Sequence, residues 1–224
     1  MIRQLAFDLP ARETFRREDF FVSPANVLAL ATLDSGDWPG GKLMLTGPAG
    51  SGKTHLARMW AAEAGAIVIA ASALDQADPD VLARNRNVVV EDAEAVAGHP
   101  AAEVTLFHLH NLVCPQGRLL LTARAPVRDW GLALPDLHSR LAAAPVATLD
   151  LPDDALLSAV LVKLFADRQV TVSPALIPWL LARMDRSIGA ARALVAALDA
   201  RALAEGRAIS LKLAAEMLDK RTDG

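Results

Sequence analysis

The sequence feature that most constrains the fold is a glycine-rich stretch that directly follows an apolar run. Residues 43–46 predict a short buried strand, and the eight residues after them fit the pattern GxxxxGK[ST]. Glycines at these places let a tight loop turn its N–H groups toward an anion at the start of a helix. The eight residues are Gly47, Pro48, Ala49, Gly50, Ser51, Gly52, Lys53 and Thr54. The stretch predicts a strand, a phosphate-binding loop and a helix in that order.

The residues at the end of the loop predict which ligand it holds. Lys53 supplies a cation for the terminal phosphates, and the Thr54 hydroxyl is suited to Mg²⁺. His55 follows and is expected to offer its backbone N–H to a phosphate. Apolar residues then recur at helical spacing, namely Leu56, Ala57, Trp60 and Ala61. We therefore expect ADP or ATP, with Mg²⁺, at this loop.

Composition limits the protein class. The chain has 224 residues, which suits one medium domain plus a small appendage, and 53% of them are hydrophobic. Its best apolar run, residues 64–74, is only about 11 residues long, against the roughly 20 that a membrane-spanning helix needs. No signal peptide is visible, and Cys114 is the single cysteine, so we expect a cytoplasmic protein. A net charge of −3 favours protein partners over broad contact with DNA.

The pattern along the chain predicts an α/β domain followed by helices. Further strands are predicted at residues 66–70, 88–90, 119–122 and 146–149, separated by segments long enough for crossover helices. This indicates a parallel five-stranded sheet covered on both faces, the αβα sandwich. Strand signals stop after Asp150. We predict a tail at residues 1–13, a nucleotide-binding domain at 14–150 and a helical lid at 151–224.

Capping residues divide the predicted lid into four helices. Asp153 is placed to cap a helix that runs to about residue 167, and Ser173 with Pro174 to start a second one that runs through Arg183. Ser187 is placed to start a third that ends near Gly206, and Ser210 to cap the last.

Two carboxylates follow the predicted strand at residues 88–90. This layout presents one acid to Mg²⁺ and a second to an attacking water. Glu91 stands at the metal position, and Asp92 stands where a catalytic acid is expected. Asp92 is one methylene shorter than the glutamate usual at that position, so vigorous hydrolysis is not implied.

The order of motifs resembles the AAA+ core of the bacterial replication initiator DnaA. The resemblance rests on FFVSPANVLALATL, LMLTGPAGSGKTHLARMWA, VVVEDAEAV, RLLLTARAP and LPDLHSRL, and covers nearly the whole chain from Phe15. Within that family the chain looks closest to the short regulatory homologue Hda. It stops at Gly224, without the helix-turn-helix domain into which DnaA continues, and this favours the regulator.

The resemblance implies roles for several arginines. Arg140 matches the arginine finger that reaches the nucleotide of a neighbouring subunit. Residues 122–124 match sensor 1, although Arg124 stands where relatives often carry aspartate. At the sensor 2 position this chain has Gly189, so either Arg192 one turn later takes that role or the contact is missing; Arg186 is a further candidate.

The tail resembles the short peptide by which replication proteins dock on the DNA polymerase sliding clamp. The residues concerned are Gln4, Leu5, Phe7 and Leu9. A flexible segment can insert its apolar side chains into a pocket while Gln4 forms a hydrogen bond at the rim. An apolar strand that packs on its own domain is the alternative.

The resemblance implies a regulator that docks on the clamp and promotes ATP hydrolysis by DnaA. Its expected partners are DnaA and the clamp β subunit, with DNA contacted indirectly through the clamp and homo-oligomers left open. One alternative is an autonomous AAA+ ATPase in a homo-oligomer, such as a helicase loader or a DnaA-like initiation factor. Another is a small-molecule kinase, for which we find no acceptor site.

His108 and His110 are predicted on different faces of a helix, and Asp75, Asp78 and Asp80 in a solvated loop.

Overall fold

The computed structural model describes Arg17 and residues 20–218. In this part of the chain, five parallel strands form one sheet in the order β2-β3-β4-β1-β5. The strands are β1 (Lys42–Thr46), β2 (Ile67–Ala70), β3 (Asn87–Glu91), β4 (Arg118–Ala123) and β5 (Val146–Thr148). The five predicted strands are confirmed, each within one or two residues at its ends. β1 leads into the glycine-rich loop and lies between β4 and β5.

Helices connect the strands and cover both faces of the sheet. Those of the α/β part are α1 (Val27–Ser35), α2 (Lys53–Ala64), α3 (Pro79–Ala83), α4 (Pro100–Val113) and α5 (Pro135–Ala142). One buried cluster joins α1 and α2 to alternate residues of the central strands, including Leu43, Leu45 and Val89. The other cluster joins α4 and α5 to the strand residues that alternate with the first set, including Met44, Val88 and Val90. Alternation of the strand side chains thus builds two cores, one on each face.

Four helices follow the sheet and share a hydrophobic core of their own. They are α6 (Asp154–Asp167), α7 (Leu176–Leu181), α8 (Ile188–Glu205) and α9 (Leu211–Leu218). Phe165, Leu176 and Leu198 are among the residues of that core. The predicted caps of three helices are confirmed, because Asp153, Ser187 and Ser210 accept hydrogen bonds from N–H groups three residues later. No helix in the described ranges is both long and apolar enough to span a membrane.

The start of α7 differs from its prediction. Ser173 Oγ accepts a hydrogen bond from the N–H of Ala175, and residues 174 and 175 form a turn. The helix therefore begins at Leu176 and ends at Leu181, two residues later and two residues earlier than predicted. The acidic segment before β3 was predicted as a solvated loop. Part of it is a helix instead, because Asp78 accepts hydrogen bonds from the N–H groups of Asp80 and Val81 and caps α3.

Candidate functional site

The glycine-rich loop joins the end of β1 to the start of α2. Gly50 and Gly52 have φ angles of +80° and +99°, in the left-handed region that favours glycine. Within residues 20–218, the backbone N–H groups of Gly50, Gly52, Lys53 and Thr54 donate to no protein acceptor. Consecutive N–H groups without acceptors at a helix N-terminus form a concavity for an anion. The loop therefore has the backbone geometry of a phosphate site.

The Lys53 ammonium lies inside this loop. Its side chain is buried, and Nζ donates to the carbonyl oxygens of Gly47 at 2.7 Å and Pro48 at 2.9 Å. Burial lowers the pKa of Lys53, and the carboxylates of Glu94 and Asp92 oppose that shift. A bound phosphate would likewise stabilise the charged ammonium. The lysine is positioned to exchange loop carbonyls for phosphate oxygens.

The other loop residues divide into a buried side and an exposed side. Ser51 Oγ is buried, with no hydrogen-bond partner among the described residues. A Cβ atom at Gly47 would lie 2.4 Å from the Leu149 carbonyl oxygen, so a side chain there would have no room. The exposed residues of the loop are Pro48, Ala49, Gly50 and Thr54. The Thr54 hydroxyl is thus accessible for a metal ion, as its predicted role requires.

The acids after β3 have different surroundings. Both carboxylate oxygens of Glu91 are held by the guanidinium of Arg58 on α2. Asp92 is exposed, has a left-handed backbone at φ 51°, and donates its N–H to Thr122 Oγ1 at 3.0 Å. The predicted metal acid is therefore engaged, whereas the carboxylate of Asp92 faces solvent.

Glu94 is a third acid near the loop, one that the sequence pattern did not single out. Its Oε1 accepts a hydrogen bond from the N–H of Arg124 at 3.0 Å, and its Oε2 is buried without a partner in the described chain. The only sequence signal was an acid three positions beyond Glu91, in a segment with no recognisable pattern. The side chain of Arg124 is exposed beside this segment.

The first turn of α8 lies against the loop. A Cβ atom at Gly50 would approach Ser187 Cβ within 2.3 Å, and one at Gly52 would lie 3.4 Å from Ile188 Cδ1. The absence of side chains at these two glycines lets the start of α8 approach the backbone of the loop. A nucleotide in the loop would therefore be close to both parts of the chain.

Three lid positions were candidates for a contact with the nucleotide. Arg192 Nη2 lies 3.2 Å from Nδ1 of His55, the residue directly after the loop, and His55 also stacks on Phe20. Arg186 instead pairs with Asp154 at 2.8 Å. Gly189 has no side chain to contribute. Of the two arginines, Arg192 is the one whose side chain contacts the residue directly after the loop.

Arg140 lies on α5, on the opposite face of the sheet from α2. Its side chain is exposed, and the guanidinium carbon stands 5.2 Å from the centre of the Phe107 ring. Among the described residues it forms neither an ion pair nor a side-chain hydrogen bond. The aromatic ring orients the guanidinium without occupying its N–H donors.

The two histidines of α4 lie in different surroundings, as the sequence pattern predicts. On α4, His108 is exposed and His110 is buried, with Lys42 Nζ 3.1 Å from its Nε2. Burial and the charge of Lys42 lower the pKa of His110. No group of three or more His, Cys, Asp or Glu side chains in the described ranges could hold a metal ion.

The tail residues Gln4, Leu5, Phe7 and Leu9 lie outside the described residues.

Comparison with solved structures identifies the architecture. Domain III of the replication initiation protein DnaA from Thermotoga maritima matches with a TM-score of 0.76 and 18% identity, over 92% of this chain and 96% of that one. The chain has the AAA+ fold of DnaA domain III. AMPPCP-bound DnaA from Aquifex aeolicus matches with a TM-score of 0.67 and 18% identity, over 86% of this chain and 67% of that one. A point variant of RuvB from Thermotoga maritima matches with a TM-score of 0.64 and 16% identity, over 87% of this chain and 67% of that one.

No family model matches the sequence. The identities to these AAA+ structures, 16–18%, relate the chain to them by fold. The predicted αβα sandwich with five parallel strands is confirmed.

Proposed function

We propose that the chain is a nucleotide-binding AAA+ regulator of replication initiation that promotes ATP hydrolysis by DnaA while docked on the sliding clamp. Its fold matches domain III of DnaA over almost the full length of both chains. Such a regulator needs a nucleotide site that fixes its own shape, a group that enters the active site of DnaA, and a tether to the clamp. Each requirement has a candidate in this chain, and we expect it to act in the cytoplasm.

The loop supports binding of ADP or ATP. The N–H groups of Gly50, Gly52 and Lys53 are open to phosphate oxygens, and the Lys53 ammonium is adjacent. Mg²⁺ would be held beside the phosphates by hard oxygen donors, namely the Thr54 hydroxyl and the Asp92 carboxylate, both exposed. Bound there, it would neutralise phosphate charge. One solved structure with the same fold is a DnaA bound to AMPPCP.

The position of Arg140, exposed and away from the loop, is the observation that carries the proposal. It shares a neighbourhood with Lys42, because both charges act on His110 and Cys114, and Lys42 is the first residue of β1. The loop leaves the other end of β1, about 13 Å away at 3.3 Å per residue, and α2 and α5 lie on opposite faces. Arg140 therefore lies away from its own nucleotide site and is exposed for the site of another subunit.

The tail supplies the tether in this proposal. Gln4, Leu5, Phe7 and Leu9 would occupy the pocket of the clamp, and the clamp would hold the regulator and DnaA near the same DNA. Tethering raises the effective concentration of one partner at the other without new contacts between them. DNA is then contacted indirectly, through the clamp.

Phosphate release from ATP-loaded DnaA tests this function. Purified protein, clamp loaded on DNA, and DnaA are combined, and each is omitted in turn. The proposal predicts stimulated release only when all three are present. Release at the basal rate of DnaA in the complete mixture would contradict it.

An autonomous ATPase in a homo-oligomer is a second candidate, favoured by the open loop together with an exposed Arg140 that a second copy could use. Turnover by the purified protein alone, rising steeply with its concentration, would support this candidate. Turnover that appears only with DnaA and clamp would exclude it.

A further inference from the structure

Two hydrogen bonds fix the segment that follows β3 against the end of β4. The N–H of Asp92 donates to Thr122 Oγ1, and Oε1 of Glu94 accepts from the N–H of Arg124, both at 3.0 Å. β4 pairs with β1, the strand that leads into the glycine-rich loop. The Glu94 carboxylate is therefore held at the carboxyl edge of the sheet, where open α/β sheets bind ligands.

The second oxygen of that carboxylate has no hydrogen-bond partner in the described part of the chain. Glu94 Oε2 is buried, and no donor in residues 20–218 reaches it. Buried carboxylate oxygens in folded proteins are almost always paired, because desolvation without a hydrogen bond is costly. An oxygen that is fixed, buried and unpaired is suited to accept a hydrogen bond from a bound ligand or its water.

The charge of Glu94 acts directly on the nucleotide loop. Among the charged groups that influence Lys53, Glu94 has the largest effect, ahead of Asp92 and Arg124. Both acids raise the pKa of Lys53 against the effect of burial. Glu94 is thus the acid whose charge acts most strongly on the ammonium that would contact the phosphates.

The two acids predicted from the sequence are less well placed. Both oxygens of Glu91 are bound to Arg58, and the Asp92 side chain is exposed. Glu94 differs from both because one of its oxygens is held by the backbone and the other is left open. Preorganisation of this kind is typical of groups that position a ligand.

We infer that Glu94 is a positioning residue of the nucleotide site, whose buried Oε2 accepts a hydrogen bond from a water molecule bound to the Mg²⁺ of a Mg²⁺–nucleotide complex. This inference rests on the nucleotide binding proposed above, but not on hydrolysis or on any partner. It assigns to Glu94 a task that the sequence pattern gives to Glu91.

Binding of a fluorescent ADP analogue tests the inference when Kd is measured with Mg²⁺ and with EDTA. The full chain and its Glu94→Gln variant are compared. Glutamine keeps an oxygen for the Arg124 N–H, so the melting temperature should not change. The gain in affinity from Mg²⁺ should fall about tenfold, as expected for loss of one charge-assisted hydrogen bond, while Kd in EDTA stays within about twofold.

A second variant separates positioning from simple charge. Glu94→Asp keeps the charge near Lys53 but withdraws the oxygen by one methylene, so positioning predicts a reduced Mg²⁺ gain here as well. Glu63→Gln, on the exposed side of α2, is the matched control and should behave as the wild type.

The outcomes distinguish the inference from the proposed function. A wild-type Mg²⁺ gain in Glu94→Gln, or an equal change of Kd with Mg²⁺ and with EDTA, would overturn the inference and leave nucleotide binding standing. Wild-type protein that binds no nucleotide under either condition would overturn both.

Discussion

The guanidinium of Arg58 binds both carboxylate oxygens of Glu91, with Nε 3.1 Å from Oε1 and Nη2 2.8 Å from Oε2. Arg58 lies on α2 one turn after Thr54, and Glu91 is the last residue of β3. The Glu91 side chain is 11% exposed and that of Arg58 is 41% exposed. Glu91 must therefore leave a bidentate ion pair before it can bind a metal ion.

Arg58→Ala should release Glu91 for Mg²⁺. The Mg²⁺-dependent gain in nucleotide affinity should increase, because the carboxylate no longer has a competing cation. The free energy of unfolding should fall by about 1 kcal/mol, the upper range for a partly exposed pair. Nucleotide titrations with and without Mg²⁺, together with urea unfolding, measure both effects.

Arg84→Ala, a change at the exposed arginine that directly follows α3, is the control for Arg58→Ala. It should leave both quantities unchanged. An unaltered Mg²⁺ gain in Arg58→Ala would show that Glu91 does not reach the metal even when it is released.

Lys53→Ala should abolish nucleotide binding. The change removes the cation of the phosphate loop, so Kd should rise by at least about a hundredfold, as expected for loss of a buried charge-assisted contact. Fluorescence titration with an ADP analogue measures it, and Lys212→Ala, at an exposed lysine of α9, is the control. Unchanged affinity in Lys53→Ala would contradict the proposal that the loop binds nucleotide phosphates.

Gly50→Ala should separate the lid from the loop. Gly50 and Gly98 share a φ of +80°, so alanine at either position should cost about 1–2 kcal/mol from backbone strain alone. At Gly50 the added methyl group would also collide with Ser187, whereas Gly98 has open space. Urea unfolding should show a loss at least about 1 kcal/mol larger for Gly50→Ala. Equal losses would mean that the lid does not rest on the loop.

Cys114 should react slowly with iodoacetamide in the folded protein. Burial raises the pKa of its thiol to about 11, so at pH 8 only about one molecule in a thousand carries the reactive thiolate. The rate should rise with pH up to that pKa, and at pH 8 it should rise sharply when urea unfolds the chain. Mass spectrometry measures the labelled fraction, and rapid labelling without urea would contradict the partial burial of this thiol.

The strands and most caps were predictable because their signals are local. Short apolar runs locate the strands, and Asp153, Ser187 and Ser210 each cap a helix through an N–H group three residues later. The strand order β2-β3-β4-β1-β5 was not predicted, since it depends on contacts between distant segments. The late start of α7 was missed because the hydroxyl of Ser173 stabilises a turn instead of a helix start.

The glycine-rich loop between β1 and α2 was predictable for a similar reason, and the surroundings of the acids near it were not. The loop pattern is contiguous, whereas the partner of Glu91 is 33 residues away on α2 and the partner of Glu94 is 30 residues away after β4. Spacing alone assigns a role to Glu91 and none to Glu94. The tertiary structure engages the first with Arg58 and leaves an oxygen of the second open.

Arg140→Ala tests the central claim most directly, in a phosphate-release assay with ATP-loaded DnaA and clamp on DNA. Arg128→Ala is the matched control, because Arg128 is also highly exposed and lies on the connection between β4 and α5. We predict that Arg140→Ala retains nucleotide and clamp binding but gives only the basal rate of DnaA, a loss of about a thousandfold or more in the stimulated step, while Arg128→Ala stimulates normally. Normal stimulation by Arg140→Ala would contradict the claim that this chain completes the active site of another subunit.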